Sequence, residues 1–195
     1  MLNRRMMIAA GLASLATRSH AAAERYQLVP DRAQISFAFS LSGTVQTGTV
    51  PLETADIRVD TRRLSRSSAD VTADIRQART GMLFVTRALL GKSVLNAAEH
   101  PIARYRSRQI SLGAGGRLSD GAEINGDLTL RGVTLPMTLA AQLTRPPGTA
   151  PDDLSVLTIA LNGALSRSAF GATGYPNLVE DEVRLDIIAE IQRAA

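Results

Sequence analysis

The chain of 195 residues contains no cysteine and no tryptophan, and aromatic residues make up only 4% of it. Without cysteine there is no disulfide, no thiol nucleophile and no thiolate ligand for a metal. Few aromatic residues argue against recognition of bases or sugars by stacking. Histidine occurs twice, as His20 and His100. These absences remove most of the common catalytic and metal-binding side chains, so a binding protein is favoured over an enzyme.

Residues 1–21 have the composition of an export signal. Arg4 and Arg5 precede an apolar stretch at residues 6–16, and Ser19-His20-Ala21 resembles a cleavage site between small residues. This stretch is shorter than the roughly 20 residues that span a bilayer. We therefore predict a cleaved signal peptide at residues 1–21, export to the periplasm and one domain at residues 22–195. The arginine pair leaves both the general secretory and the twin-arginine routes open.

Removal of this leader changes the charge of the protein. The whole chain has 22 basic and 18 acidic residues, a formal net charge of +4. The leader carries three arginines and no acid, which leaves 19 basic against 18 acidic residues, or +1. Nucleic-acid binding needs a concentrated basic face, whereas Arg104, Arg106 and Arg108 alternate along one strand. We interpret these arginines as a solvated outer face and predict no nucleic-acid partner.

Alternation of apolar and polar residues dominates the rest of the chain and predicts about eight β-strands. A sheet of this size loses its exposed edges most simply by closing into an antiparallel barrel. The predicted fold is therefore mainly all-β. The apolar strand positions are Ile35, Phe37, Phe39, Leu41, Ile57, Val59, Val71, Ala73, Ile75, Ala103, Tyr105, Ile110, Leu112, Ile124, Leu128, Leu130, Val133, Leu135, Met137, Leu139, Leu143, Leu157, Ile159, Leu161, Leu165, Val183, Leu185, Ile187, Ala189 and Ile191.

Residues 80–98 break this rhythm. Met82, Val85 and Leu89 follow a helical period, and Pro101 disfavours helix at the residue before it. We predict a short helical insertion here. Residues 113–116 are a glycine-rich hairpin signal, and residues 145–153 form a proline-rich surface loop.

The interior of an eight-stranded barrel holds either packed side chains or one slim ligand. Because the inward set is Ile, Leu, Val, Ala and Phe, any occupant should be apolar, and periodicity alone leaves a lipid ligand and a dry core equally open.

Catalytic alternatives are weak. His100 beside Glu99 is one imidazole and one carboxylate, short of the three or four ligands of a metal site. Serines are abundant, but only His100 could serve as their base, and no Gly-x-Ser-x-Gly elbow is present. The acidic pairs at Asp152-Asp153 and Glu180-Asp181-Glu182 lie at element ends and lack the aromatic residues of a glycosidase site. We predict no catalytic residue, no metal and no cofactor.

Residues 124–139 carry the most informative motif. Ile124, Gly126, Leu128-Thr129-Leu130, Gly132-Val133-Thr134, Pro136 and Leu139 stand at the positions that define the hairpin of the YceI-like family, and the chain closely resembles it. Four further segments resemble the family in order, and the likeness covers essentially residues 26–191. These segments are Tyr26-x-Leu28-x-Pro30-Asp31 with Ile35-x-Phe37, Pro101-x-Ala103-x-Tyr105-x-Ser107, Ser168-x-Phe170-Gly171, and Glu180-Asp181-Glu182-Val183-x-Leu185.

The resemblance implies an extended, eight-stranded, lipocalin-like barrel with the helical insertion near residues 80–98. It also implies a narrow apolar cavity that holds a polyisoprenoid chain, such as a quinone tail or an isoprenol carrier. This chain departs from the family at Leu41, at Thr86-Arg87-Ala88-Leu89 and at Val94-Leu95. We expect these positions near the helical cover and the cavity mouth.

The predicted function is therefore a periplasmic protein that stores or carries an apolar lipid, with the helical segment from Met82 to Leu95 covering one end. An exported interaction module with a packed barrel is the alternative, and a weak hydrolase or isomerase is a third. We expect no stable membrane insertion and leave monomer and homodimer open. The predicted cavity-lining residues are Phe37, Phe39, Ala103, Tyr105, Leu128, Leu130, Ile159, Phe170, Tyr175, Leu185 and Ile187.

Overall fold

The structure, a computed structural model, describes residues 23–60, 63–113, 121–150 and 153–194. The predicted signal peptide, Asp152 and most of the glycine-rich turn after Gly113 lie outside these residues. Within them the chain forms one α-helix and ten strands: β1 (Glu24–Leu41), β2 (Thr44–Val50), β3 (Leu52–Val59), β4 (Ser68–Asp74), β5 (Arg79–Thr80), α1 (Leu83–Leu90), β6 (Ile102–Leu112), β7 (Ala122–Leu130), β8 (Val133–Thr144), β9 (Val156–Ser166) and β10 (Val179–Arg193).

Eight strands close into an antiparallel barrel, as predicted. The order runs β10, β9, β8, β7, β6, β4, β3, β1, and β1 pairs again with β10 to complete the ring. β2 and β3 share β1 as a partner: β3 pairs at Glu24–Tyr26 and β2 at Ile35–Leu41. Pro51 separates the two segments, because proline has no N–H to give to the ladder. β2 was not predicted as a strand.

The period-two pattern fixes which side chains face inward. Across the β1–β10 seam, Phe37 pairs with Leu185 and Ile35 with Ile187. On the outer face Arg104 Nη2 lies 2.6 Å from Asp70 Oδ2, and Arg108 pairs with Asp127. Exposed pairs of this kind contribute little stability, so the barrel depends on its apolar interior.

The hairpin joining β7 and β8 forms as the motif predicts. Leu130 pairs with Val133, and only Arg131 and Gly132 lie between them. Both have positive φ, 53° and 77°, which matches the type I′ turn that suits the twist of a two-residue hairpin. The turn thereby sets the register that places Ile124 opposite Leu139.

Two strand glycines let large aromatic rings lie flat against the inner wall. A Cβ built on Gly126 would come within 2.6 Å of Tyr105 Cζ, and one built on Gly48 would overlap the Phe37 ring. Any side chain at these positions would push the ring toward the barrel axis. The glycines therefore help keep the interior open.

The predicted short helical insertion lies within residues 80–98, and there α1 is a single helix that spans Leu83–Leu90. α1 ends at Leu90, where the Gly91 N–H donates to the Ala88 carbonyl, and the following residues form turns. Leu95 N–H then bonds to Leu89 O at 3.0 Å, which folds these turns back on the helix. A local difference from the prediction is Ile75, which lies in a 3₁₀ turn at Ile75–Gln77 rather than in a strand. In the described residues, no helix has the length and apolar character to cross a membrane.

Candidate functional site

A cavity of about 530 Å³ runs inside the barrel. This volume lies within the range of roughly 300–1,000 Å³ typical of small-molecule pockets. Inward side chains from the barrel strands form its wall, and residues of α1 and the turns after it form part of one end. Thr72 and Arg104 also border it, but their side chains make hydrogen bonds on the exposed outer face. The space is therefore almost wholly apolar.

The structure brings together ten of the eleven predicted lining residues around this cavity. They are Phe37, Phe39, Ala103, Tyr105, Leu128, Leu130, Ile159, Tyr175, Leu185 and Ile187. Phe170 is the eleventh, and it is not part of the lining. It lies in a 3₁₀ turn, where it is buried in a packed cluster with Leu128, Met137 and Leu139. Whether the ten residues contact a ligand stays a prediction.

Tyr105 brings a hydroxyl group to the cavity wall. Its Oη donates to the Ile124 carbonyl at 2.8 Å and lies 3.3 Å from the Met137 carbonyl. Burial, together with the nearby Asp127 charge, raises the pKa of Tyr105 to about 12. The hydroxyl is therefore protonated at neutral pH and already committed to the backbone, which makes the wall more apolar than the residue type suggests.

Arg167 is a feature that sequence reasoning missed. The residue is more than nine-tenths buried and borders the cavity. Its Nη1 donates to Ala172 O at 2.5 Å and Gly174 O at 2.8 Å, while Nη2 donates to Val179 O at 2.9 Å and Nε to Glu180 O at 3.0 Å. Backbone carbonyl dipoles thus stabilise the buried cation. In return Arg167 holds residues 172–180 against the barrel.

Helix α1 covers the end of the barrel at which Arg167 and residues 172–180 lie. Val85 is buried, and Phe84, Ala88 and Leu89 border the cavity with it. Leu41, Val94 and Leu95 also border the cavity. The positions where this chain departs from the family pattern thus cluster at the covered end, where we expected them.

The cavity meets solvent at this end. Phe84, Tyr175 and Leu178 border the cavity and are at the same time exposed. At the opposite end Tyr26, Leu157 and Ile191 are fully buried in one cluster. The barrel therefore has a mouth, formed by α1 and residues 172–178, and a closed far end.

The residues considered for catalysis have structural partners. Glu99 accepts a hydrogen bond from Asn96 Nδ2 at 2.8 Å, and His100 packs against the turn at Gly132. Hydrogen bonds from Ser166 and Ser168 lower the pKa of Asp181, which accepts from the Ser168 N–H at 2.9 Å. Across the described ranges, no three His, Cys, Asp or Glu side chains are grouped as a metal site.

The family model for the YceI-like domain matches residues 26–191. The chain belongs to the YceI-like family. Curated relatives include UPF0312 proteins of Yersinia pestis and Yersinia pseudotuberculosis, which are 43% identical over 56 residues, 29% of this chain and 27% of theirs. The match therefore spans about a quarter of the length of these relatives.

Solved structures share the fold of this YceI-like chain. BcnA of Burkholderia cenocepacia superposes with a TM-score of 0.72 at 18% identity, over 84% of this chain and 98% of that one. A polyisoprenoid-binding domain from Saccharophagus degradans gives 0.61 at 12% identity, covering 88% and 99%. The YCEI protein of Campylobacter jejuni gives 0.58 at 18% identity, covering 76% and 85%. At these identities the likeness shows the fold, a closed eight-stranded antiparallel barrel.

Proposed function

We propose that this protein binds one long-chain apolar lipid of the polyisoprenoid class inside its barrel and stores or carries it. The apolar cavity of about 530 Å³ is the observation that carries the proposal. A polyisoprenoid-binding domain among the proteins of the same fold supports the choice of ligand class. The Tyr105 hydroxyl and the Arg167 guanidinium at the cavity wall both donate hydrogen bonds to backbone carbonyls. This arrangement accords with a binding role, because neither group is free to act as a catalyst.

Chain length determines whether burial alone gives useful affinity. Each buried methylene contributes about 0.8 kcal/mol, so ten carbons supply roughly 8 kcal/mol and twenty roughly 16 kcal/mol. Association costs about 4 kcal/mol or more in lost translational and rotational freedom. Ten carbons therefore reach only millimolar dissociation constants, whereas twenty reach roughly the nanomolar range. The cavity, which lacks a strong polar anchor, should select long chains.

The site of action in this proposal is the periplasm. It rests on the predicted signal peptide at residues 1–21, whose arginines and apolar stretch have the pattern of an export signal. A lipid carrier is useful in such a compartment, because a free long chain would expose all its methylenes to water. A quinone tail and an isoprenol carrier both meet the apolar requirement of the wall.

Solvent extraction tests the proposal most directly. Protein purified from its native host is extracted with organic solvent, and the extract is analysed by mass spectrometry. We expect a stoichiometric isoprenoid, and added geranylgeraniol or ubiquinone should raise the melting temperature of stripped protein by mass action. If no lipid is extracted and neither compound shifts the melting temperature, the carrier proposal is wrong and an interaction module without a lipid ligand replaces it.

A matched pair of variants links binding to the cavity. Leu128→Trp inserts an indole into the interior, since Leu128 is buried and borders the cavity. Ile188→Trp adds the same side chain on the exposed outer face of β10. We expect Leu128→Trp to abolish lipid uptake and Ile188→Trp to leave it unchanged. Equal uptake by both folded variants would place the lipid outside the barrel.

A further inference from the structure

The exposed apolar side chains of this protein are concentrated at the cavity mouth. Six large apolar residues in the described ranges are exposed, and five of them lie at the end covered by α1. We name these five the apolar rim. They are Val45, Leu83, Phe84, Tyr175 and Leu178. The sixth, Ile188, lies on the side wall in β10.

Backbone hydrogen bonds join the segments that carry the rim. Ser42 N–H donates to the Leu178 carbonyl at 2.7 Å, which ties the β1–β2 hairpin to the loop before β10. Gly174 N–H donates to Ser93 O at 2.8 Å, which ties that loop to the turn after α1. The rim is therefore one surface at one end of the barrel.

The charge of the rim segments is of one sign. Residues 44–46, 81–92 and 172–178 contain Arg87 and Lys92, both exposed, and no acidic residue. The other acids at this end lie outside these segments and have their own partners: Asp74 pairs with Arg76, Glu99 with Asn96, Glu180 with Ser40, Asp181 with Ser168 and Glu182 with Arg184. An apolar surface bordered by cations is complementary to a bilayer with anionic headgroups.

We propose that the apolar rim docks this protein peripherally on an anionic lipid bilayer, with the cavity mouth facing the membrane. The inference rests on the proposed function, because a lipid that passes directly from bilayer to cavity never exposes its chain to water. A few inserted side chains with nearby cations suffice for peripheral binding. A stable interface with a second copy uses about 20–30 residues a side, far more than the five of the rim.

Vesicle flotation tests the docking with purified protein. Vesicles of phosphatidylglycerol and phosphatidylethanolamine are compared with vesicles of phosphatidylcholine alone. The test variant combines Val45→Ser with Leu83→Ser, because neither residue borders the cavity. Ile188→Ser is the matched control, since Ile188 and Leu83 are similarly exposed, at 60% and 69%.

We expect the unmodified protein and Ile188→Ser to float with anionic vesicles. The double variant should partition about tenfold less, because two apolar side chains no longer enter the bilayer. Arg87→Gln and Lys92→Gln should weaken binding to anionic vesicles alone, and added salt should do the same. Geranylgeraniol binding in vesicle-free solution should be equal in the unmodified protein, the double variant and the control.

Three results would overturn the docking. The first is equal flotation of the double variant and Ile188→Ser, and the second is no flotation of any form while geranylgeraniol still binds. That second result leaves the proposed function standing. The third is a concentration-dependent dimer that the double variant abolishes, which assigns the rim to a second copy of the chain. Loss of geranylgeraniol binding by every form would instead contradict the proposed function.

Discussion

The two ends of this barrel are held together by different kinds of interaction. At the far end the fully buried side chains Tyr26, Leu157 and Ile191 share one apolar cluster. At the mouth the structure buries polar side chains instead: Asp74, Asn96 and Arg167 are each more than nine-tenths buried. The far end is thus stabilised mainly by packing, whereas the mouth adds hydrogen bonds from buried polar side chains to its own apolar cluster, in which Phe37, Ile75 and Ala97 are buried.

The difference has a consequence for function. Packing is non-directional and is lost only when the cluster separates as a whole. A loop held by hydrogen bonds opens locally, at less than the free energy of global unfolding. Arg167 fastens residues 172–180 to the barrel, and the Gly174 N–H in turn ties them to Ser93 O in the segment after α1. The proposed carrier role needs one end that opens while the other keeps the barrel intact, and the long-range hydrogen bonds of Arg167 at the mouth accord with it.

Removing Arg167 should have the largest effect. Arg167→Met keeps most of the side-chain volume but leaves four carbonyls of residues 172–180 without their donor. At about 1–3 kcal/mol for each buried group left unpaired, we expect a loss of roughly 4 kcal/mol or more. Urea unfolding measures the total, and hydrogen exchange should rise most in residues 172–180. Uniform exchange across both ends would contradict a locally fastened mouth.

Ile191→Ala should have the next largest effect, at the other end. Ile191 has no exposed surface, and truncation of such a residue costs about 2–5 kcal/mol. Because Ile191 does not border the cavity, lipid affinity of the folded variant should be unchanged. Urea unfolding measures the loss of stability, and a geranylgeraniol titration measures the lipid affinity. A weaker lipid complex would show that the far end also shapes the site.

Asp74→Asn tests the polar contacts of the mouth through pH. Hydrogen bonds from Arg76 and Gln77 hold the pKa of Asp74 well below its ordinary value of 3.8. The ionised form therefore stabilises the fold above pH 3.8, and this contribution is lost as pH falls toward the lowered pKa. We expect the variant to be less stable at pH 7, by less than Ile191→Ala, and the difference to shrink below pH 3.8. A difference independent of pH would assign the effect to packing.

The strands of the far end and of the barrel wall could be predicted from the sequence, because the alternation of apolar and polar residues is a local pattern. Alternation identified the inward face, and the two-residue turn at Arg131-Gly132 fixed the β7–β8 register. Strand β2 was not predicted, because the inward residue Gly48 interrupts its apolar pattern. A glycine stands there because the Phe37 ring occupies the space that a side chain would fill.

At the mouth, the helical cover was predicted from its period, but the placement of Arg167 and Phe170 was not. Phe170 lies in a 3₁₀ turn, where period two carries no information. Arg167 is one arginine among many in the sequence, and only the tertiary fold brings the four carbonyls of residues 172–180 to it. The segments that obeyed a periodic rule were predicted, whereas the segments held by long-range polar contacts were not.

Tyr105 offers the smallest and most specific test, because it lies on the wall between the two ends. Its pKa, raised to about 12 by burial and by Asp127, means that the folded protein keeps a proton that the unfolded chain releases near pH 10. Stability should therefore fall as pH rises from 10 toward 12. Tyr105→Phe should cost about 1 kcal/mol at pH 7 through the lost hydrogen bonds, and its unfolding free energy should depend less on pH above 10. If both proteins lose stability equally in alkali, the wall does not hold the Tyr105 hydroxyl neutral.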